Sequence, residues 1–267
     1  MHRAAADTAA YWDAIWDSDP PRHAPSERLT RWYRDICERH LPKDGLIVEA
    51  GCGNGNIMRT FARGGWTIEG LDFAERTVRA NLAIDPRGRY RIGDVRALPY
   101  EDGQLAGYIS LGVVEHFSDE VRAAILQECA RCLRVGGVAM ITTPYFSPFR
   151  RAQARMGGFD SSVEDLPFYQ YFFTRRDLCE QIEAAGMRVI ETDAYDIYKG
   201  LKDTVGWPGL KRSLEWFKAR GPGCARMLHH PPKALRLLCG HMQLVMARKE
   251  RSAGHDAQRQ SSCSLGR

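Results

Sequence analysis

Residues 46–55 read Leu-Ile-Val-Glu-Ala-Gly-Cys-Gly-Asn-Gly. The apolar run Leu46, Ile47 and Val48 has the character of a buried strand. It breaks at Gly51, Gly53 and Gly55, and a helical pattern follows through Ile57, Met58 and Phe61. Strand, glycine turn and helix is the arrangement by which an α/β fold brings bare backbone up to a nucleotide. Glycine suits such a turn because it accepts positive φ and offers no Cβ to obstruct a ligand. The spacing argues against a dinucleotide site, whose fingerprint is G-x-G-x-x-G. Counting from Gly51 the third glycine falls on Asn56, and counting from Gly53 it falls on Met58. No lysine stands where a P-loop needs one.

Trp66, Ile68, Gly70 and Leu71 form a second short strand ending in Asp72. An acid there, about 20 residues past the loop, is placed to accept both hydroxyls of a ribose. Tyr90 to Val95 form a third strand that also ends in an acid, Asp94, and Tyr108 to Phe117 a fourth strand with its exit. Leu133 to Thr143 read as helix end, turn and fifth strand.

The pattern E-x-G-x-G-x-G from Glu49 resembles motif I of the class I S-adenosylmethionine (SAM)-dependent methyltransferases. The exit Val114-Glu115-His116-Phe117 resembles the EHF segment of the type 11, small-molecule branch. Leu133 to Gly137 resemble its LRPGG turn, with Val135 in place of the proline. The likeness covers roughly residues 30–195 and the last strand near 241–248. It implies a Rossmann-like α/β fold: a seven-stranded, mostly parallel sheet of order 3-2-1-4-5-7-6, with helices on both faces and inserted lid segments. It also implies SAM as methyl donor and S-adenosylhomocysteine as product. The residues it points to for the donor are Glu49 at the methionine end, Gly51, Gly53, Asn54 and Gly55 in the turn, Asp72 and Phe73 at the ribose, Asp94 and Val95 at the adenine, and Leu111. An N-terminal segment closes over the donor in related enzymes, which brings in Trp12.

The rest of the chain surrounds this unit. With 267 residues it suits one domain with elaborations. Residues 1–45 read as an aromatic and helical leader, 46–251 as the donor-binding domain, and 252–267 as a polar tail of disordered composition. Ser26 is a candidate cap for a helix over 26–40. Insertions are expected at about 144–173 and 196–238. The first is rich in aromatics without a clear period, and Tyr145, Phe149, Phe168, Tyr169 and Phe172 are its candidate acceptor-pocket residues. Cys129 and Cys132 make a C-x-x-C near a helix end. With no second pair at zinc-site spacing, it reads as packing, not a metal or redox pair.

Methyl transfer from a sulfonium is an in-line displacement, so alignment and exclusion of water do most of the work. Ligands of such sheets sit outside the carboxyl ends of the strands. His116, just past the fourth strand, is therefore the candidate base. An N/D-P-P-Y/F element for a flipped base is missing from that exit, which favours a small-molecule acceptor methylated at oxygen over nucleic acid. Protein methylation and a silent SAM-binding scaffold stay open as alternatives. Between Lys199 and Arg251 there are twelve Lys and Arg against three acids. That stretch suits an anionic, glycan- or lipid-linked acceptor, an anionic membrane surface, or a solvated face. No apolar run reaches the ~18 residues of a spanning helix, and the N-terminus lacks a signal-peptide core. The expected compartment is the cytoplasm, with peripheral membrane contact through 199–251 as an open reading.

Overall fold

The computed structural model describes residues 8–19, 21, 34–156, 170–202, 208–221 and 231–250. Ser26, Phe168, Tyr169 and the 252–267 tail lie outside the described residues.

The first described helix is α1 (Ala9–Ser18), capped by the Thr8 hydroxyl, which accepts from the Tyr11 amide. After α2 (Arg34–His40) the chain enters β1 (Ile47–Ala50). The alternation then runs α3 (Asn56–Arg63), β2 (Ile68–Asp72), α4 (Glu75–Ile84), β3 (Tyr90–Ile92) and β4 (Leu105–Leu111). One 3-10 turn, Val114–His116, follows β4. Next come α5 (Asp119–Cys132), β5 (Leu133–Pro144), α6 (Pro148–Arg155), α7 (Arg175–Ala184) and β6 (Met187–Tyr195). The last elements are α8 (Ile197–Lys202), α9 (Pro208–Ala219), α10 (Lys233–Cys239) and β7 (Met242–Lys249).

The seven strands form one sheet in the order β3-β2-β1-β4-β5-β7-β6. The first five are parallel, and β7 runs antiparallel to both neighbours. Successive strand residues point to opposite faces, and the core divides accordingly. Val48, Tyr108, Ala139, Ile141 and Val245 pack on one face with Ile125, Leu126 and Cys129 of α5 and Leu178 and Ile182 of α7. Ile47, Ile109, Val138, Met140 and Met246 pack on the other with Ile36 and Cys37 of α2 and Met58 and Phe61 of α3. Both faces are covered, which explains why the central strands read as continuous apolar runs.

Local chemistry sets the ends of the elements. Helix α7 opens with a capping box: the Thr174 hydroxyl accepts from the Asp177 amide, and the Asp177 carboxylate accepts from the Thr174 amide. Such caps are worth about 1 kcal/mol. Cys129 and Cys132 are buried free thiols on α5. Burial raises both pKa values, that of Cys132 to about 11. Among the described residues no cluster of three or more His, Cys, Asp or Glu could hold a metal. No helix among them is long and apolar enough to cross a membrane.

Candidate active site

The carboxyl ends of β1 to β4 open into a cavity of about 540 Å³, within the ~300–1,000 Å³ of small-molecule sites. Its floor is the turn between β1 and α3. Gly51, Gly53 and Gly55 hold φ of 78°, 46° and 66°, a region that is costly for residues with a Cβ. A Cβ on Gly51 would come 2.5 Å from Cγ2 of Val113, and one on Gly53 would collide with the Trp16 indole. The turn is braced from behind. The buried Arg59 guanidinium donates to the Asn54 carbonyl (2.8 Å), the Asn56 side chain (2.9 Å) and Asn81 Oδ1 (2.9 Å). Asn81 Nδ2 in turn donates to the Gly53 carbonyl (2.7 Å).

Three acids stand around the turn in different states. Asp72, buried at the end of β2, accepts the Gly53 amide on Oδ2 (2.8 Å) and the Ala74 amide on Oδ1 (2.9 Å). Each carboxylate oxygen keeps accepting capacity, so a diol can bind on the cavity side. Burial pushes the Asp72 pKa up, opposed by those amides. Glu49 is buried at the end of β1, and its Oε2 has no hydrogen-bond partner among the described residues. Burial raises its pKa from 4.5 to about 8, against the Met58 amide and the Arg59 charge. A buried carboxyl oxygen without a partner is expensive, so this position calls for a donor from a ligand. Asp94 is half-buried and forks onto Arg96, with Nε 2.9 Å and Nη2 2.6 Å from Oδ2. Burial alone would raise its pKa, but the Arg96 bonds outweigh it and hold the group below its usual value.

Helix α1 forms the cover. Trp12, Ile15, Trp16 and Asp19 line the cavity. The helix is tied down through its acids. Asp13 Oδ1 accepts the Thr77 amide (3.1 Å) and hydroxyl (3.0 Å) in the first turn of α4. Asp17 pairs with Arg76 (2.7 Å), and Asn54 Nδ2 donates to Asp19 Oδ2 (3.1 Å). His116 packs against Trp12, ring centroids 4.8 Å apart in an edge-on arrangement.

The structure therefore brings Trp12, Glu49, Gly51, Asn54, Asp72, Phe73, Asp94, Val95, Leu111 and His116 to one cavity wall, with Gly53 and Gly55 in the supporting turn. The aromatic acceptor candidates fall elsewhere. Tyr145 is buried, donates its hydroxyl to the Leu237 carbonyl (3.1 Å), and lines a separate depression with Arg151 and Arg175. Phe149 lies on α6, and neither it nor Phe172 lines the cavity; Phe172 is exposed, under the Arg150 guanidinium. These side chains leave the cavity because the backbone of 171–173 is drawn to other partners: Phe173 bridges Tyr145, and the Tyr171 amide donates to the Glu115 carbonyl. Sequence reasoning missed Glu115, Tyr195, Asp196 and Met242, all of which line the cavity. It also missed the braces Arg59 and Asn81. Glu115 stood inside a quoted segment, and its place one residue before His116 was a usable signal. The others belong to no local motif.

Residues 47–137 match a family model described as a methyltransferase domain. A probable S-adenosylmethionine-dependent methyltransferase of Mycolicibacterium smegmatis is 32% identical over 163 residues, 60% of this chain and 58% of that protein. The matched segment is thus similar to the domains of SAM-dependent methyltransferases. Its alignment takes in under two thirds of that relative's length. A ubiquinone biosynthesis O-methyltransferase of Dinoroseobacter shibae is 28% identical over 206 residues, 70% of this chain and 80% of that one. The fold is shared with a Haemonchus contortus phosphoethanolamine N-methyltransferase solved with S-adenosylhomocysteine (TM-score 0.54, 16% identity, 91% of this chain and 58% of that chain). In this cavity the unpartnered Glu49 oxygen, the glycine cradle and the Asp72 carboxylate fit a sulfonium nucleoside with an ammonium at one end and a diol at the middle.

Proposed function

We propose that the protein transfers the methyl group of SAM to an oxygen of a small-molecule acceptor. The observation that carries this reading is the lining of the cavity, which takes in residues beyond the donor turn. Gly112, Val113, Phe117, Tyr195 and Met242 contribute apolar surface there, beside the polar Glu115, His116 and Asp196. Such a lining suits a small organic acceptor, and the cover by α1 excludes water from the displacement. Glu49 would hold the methionine end, Asp72 the ribose and Asp94 the adenine, while Trp12 and Trp16 close the site. His116 sits at the junction of cover and acceptor wall, with its ring against Trp12. The similarity to a ubiquinone biosynthesis O-methyltransferase supports oxygen as the atom methylated.

The test is incubation of the purified protein with methyl-tritiated SAM and a fractionated small-molecule extract. Label is expected in a low-mass, acid-stable product that Asp72→Asn suppresses. Label only in added protein or RNA would contradict the reading.

A further inference from the structure

Glu115 is the second buried carboxyl in the cavity whose Oε2 has no hydrogen-bond partner among the described residues. It is 2% exposed and sits in the 3-10 turn beyond β4. Its surroundings are built for a carboxylate. The Glu115 backbone accepts the Tyr171 amide (2.9 Å), which fixes the turn. The fully buried Arg122 guanidinium, held by the Phe117 carbonyl (3.1 Å) and stacked 4.3 Å from the Phe173 ring centroid, favours the charged form electrostatically. Tyr195 also feels the Glu115 charge and lines the same wall. A buried, oriented carboxyl with a free oxygen is costly unless a ligand supplies the missing donor. Glu49 serves the donor in the reading above; Glu115 lines the same cavity beside Gly112, Val113 and Phe117 of the acceptor lining.

The acids on this wall also constrain the acceptor. Asp19, Asp196 and Glu115 line the cavity beyond the three donor acids, and the one Arg among the described lining residues, Arg96, is committed to Asp94. An anionic group next to the reacting atom would find no further Arg or Lys among the described lining residues to pair with.

We infer that Glu115 is the catalytic base of this methyltransferase and that its acceptor presents a neutral hydroxyl to the methyl group. This rests on the SAM reading of the site. The acceptor oxygen attacks the methyl carbon, and the C–S bond breaks with its electron pair passing to sulfur, which becomes the neutral thioether. The O–H proton passes to the Glu115 carboxylate. His116, turned against Trp12, then serves the cover.

Sinefungin tests this without knowledge of the acceptor, because it carries an amino group where SAM carries the transferred methyl. Calorimetric affinities for sinefungin and S-adenosylhomocysteine are measured on the wild type, Glu115→Gln and His116→Gln. The wild type is expected to prefer sinefungin, through an ion pair with Glu115. Glu115→Gln is expected to lose about tenfold of that preference at unchanged S-adenosylhomocysteine affinity. A preference retained in Glu115→Gln, or lost only in His116→Gln, overturns the assignment. Failure of the wild type to bind either nucleoside defeats the SAM reading itself, and this inference falls with it.

Discussion

At the residue scale, the site is a set of carboxyls distinguished by their surroundings. Asp72 is occupied by two backbone amides on its inner side. Replacing it with Ala removes a charged acceptor and loosens the turn, and SAM affinity is expected to fall by ~1–3 kcal/mol; unchanged affinity in calorimetry would refute the ribose role. Glu49 and Glu115 titrate near 8, well above the ordinary 4.5, because burial penalises their charged forms. Both are mainly protonated at pH 7 without ligand. A donor carrying an ammonium and a sulfonium favours the ionised forms, so SAM binding at pH 7 is expected to release protons. Titrations in buffers of different ionisation enthalpy measure this, and Glu49→Gln should reduce the release. The linkage sign follows from the same shifts. A carboxyl whose folded pKa is raised gives the folded state more protons than the unfolded one between about 4.5 and 8. Ligand-free stability should therefore fall as pH rises through that window and level off above it. A denaturation midpoint in Glu49→Gln/Glu115→Gln that falls as steeply as in the wild type would contradict this.

At the element scale, α1 contributes to the site with almost no hydrophobic anchoring of its own. Its only fully buried residue is Asp13, which caps the first turn of α4, a position where an acid also complements the helix dipole. Asp13→Ala is expected to release the cover, weakening S-adenosylhomocysteine binding about tenfold while leaving the melting temperature near wild type. A large melting shift with unchanged binding would mean that α1 serves the fold instead. The core elements behave differently. Ile109 is fully buried in the middle of β4, and Ile109→Ala should cost ~2–5 kcal/mol in denaturant unfolding. These strands and helices were legible from sequence for a physical reason. Short apolar runs, glycine turns and acids at strand ends are local signals, and they survive without tertiary context. The cavity acids Glu49, Asp72 and Asp94 were legible because the motifs put them at strand ends, where the fold opens. The acceptor wall was not, because it joins Tyr195 and Met242 to Glu115 through the 5-7-6 strand order, across long stretches of chain. The aromatics of 144–173 misled because composition says nothing about direction: Tyr145 turned to α10 and Phe172 to solvent.

At the scale of the whole molecule, the cationic stretch 199–251 is partly consumed by the fold. Arg236 pairs with Asp193 (2.5 Å) and donates to the Pro231 carbonyl (2.8 Å), and Lys233 lies 3.5 Å from Glu191. These contacts clamp α10 onto β6, the edge of the sheet, and so position Tyr195 at the cavity. Part of the net charge of +5 thus serves packing, while the cavity itself is acidic. The cavity and its cover lie on the carboxyl ends of the parallel strands, and on the proposed reading one nucleoside would span β1 to β3. A calorimetric titration of the purified protein with SAM, run beside NAD, tests this most directly. Saturable one-to-one binding of SAM, sharply weakened in Asp72→Ala, with no heat from NAD, is the expected result. Binding of NAD instead, or no binding of SAM, would contradict it.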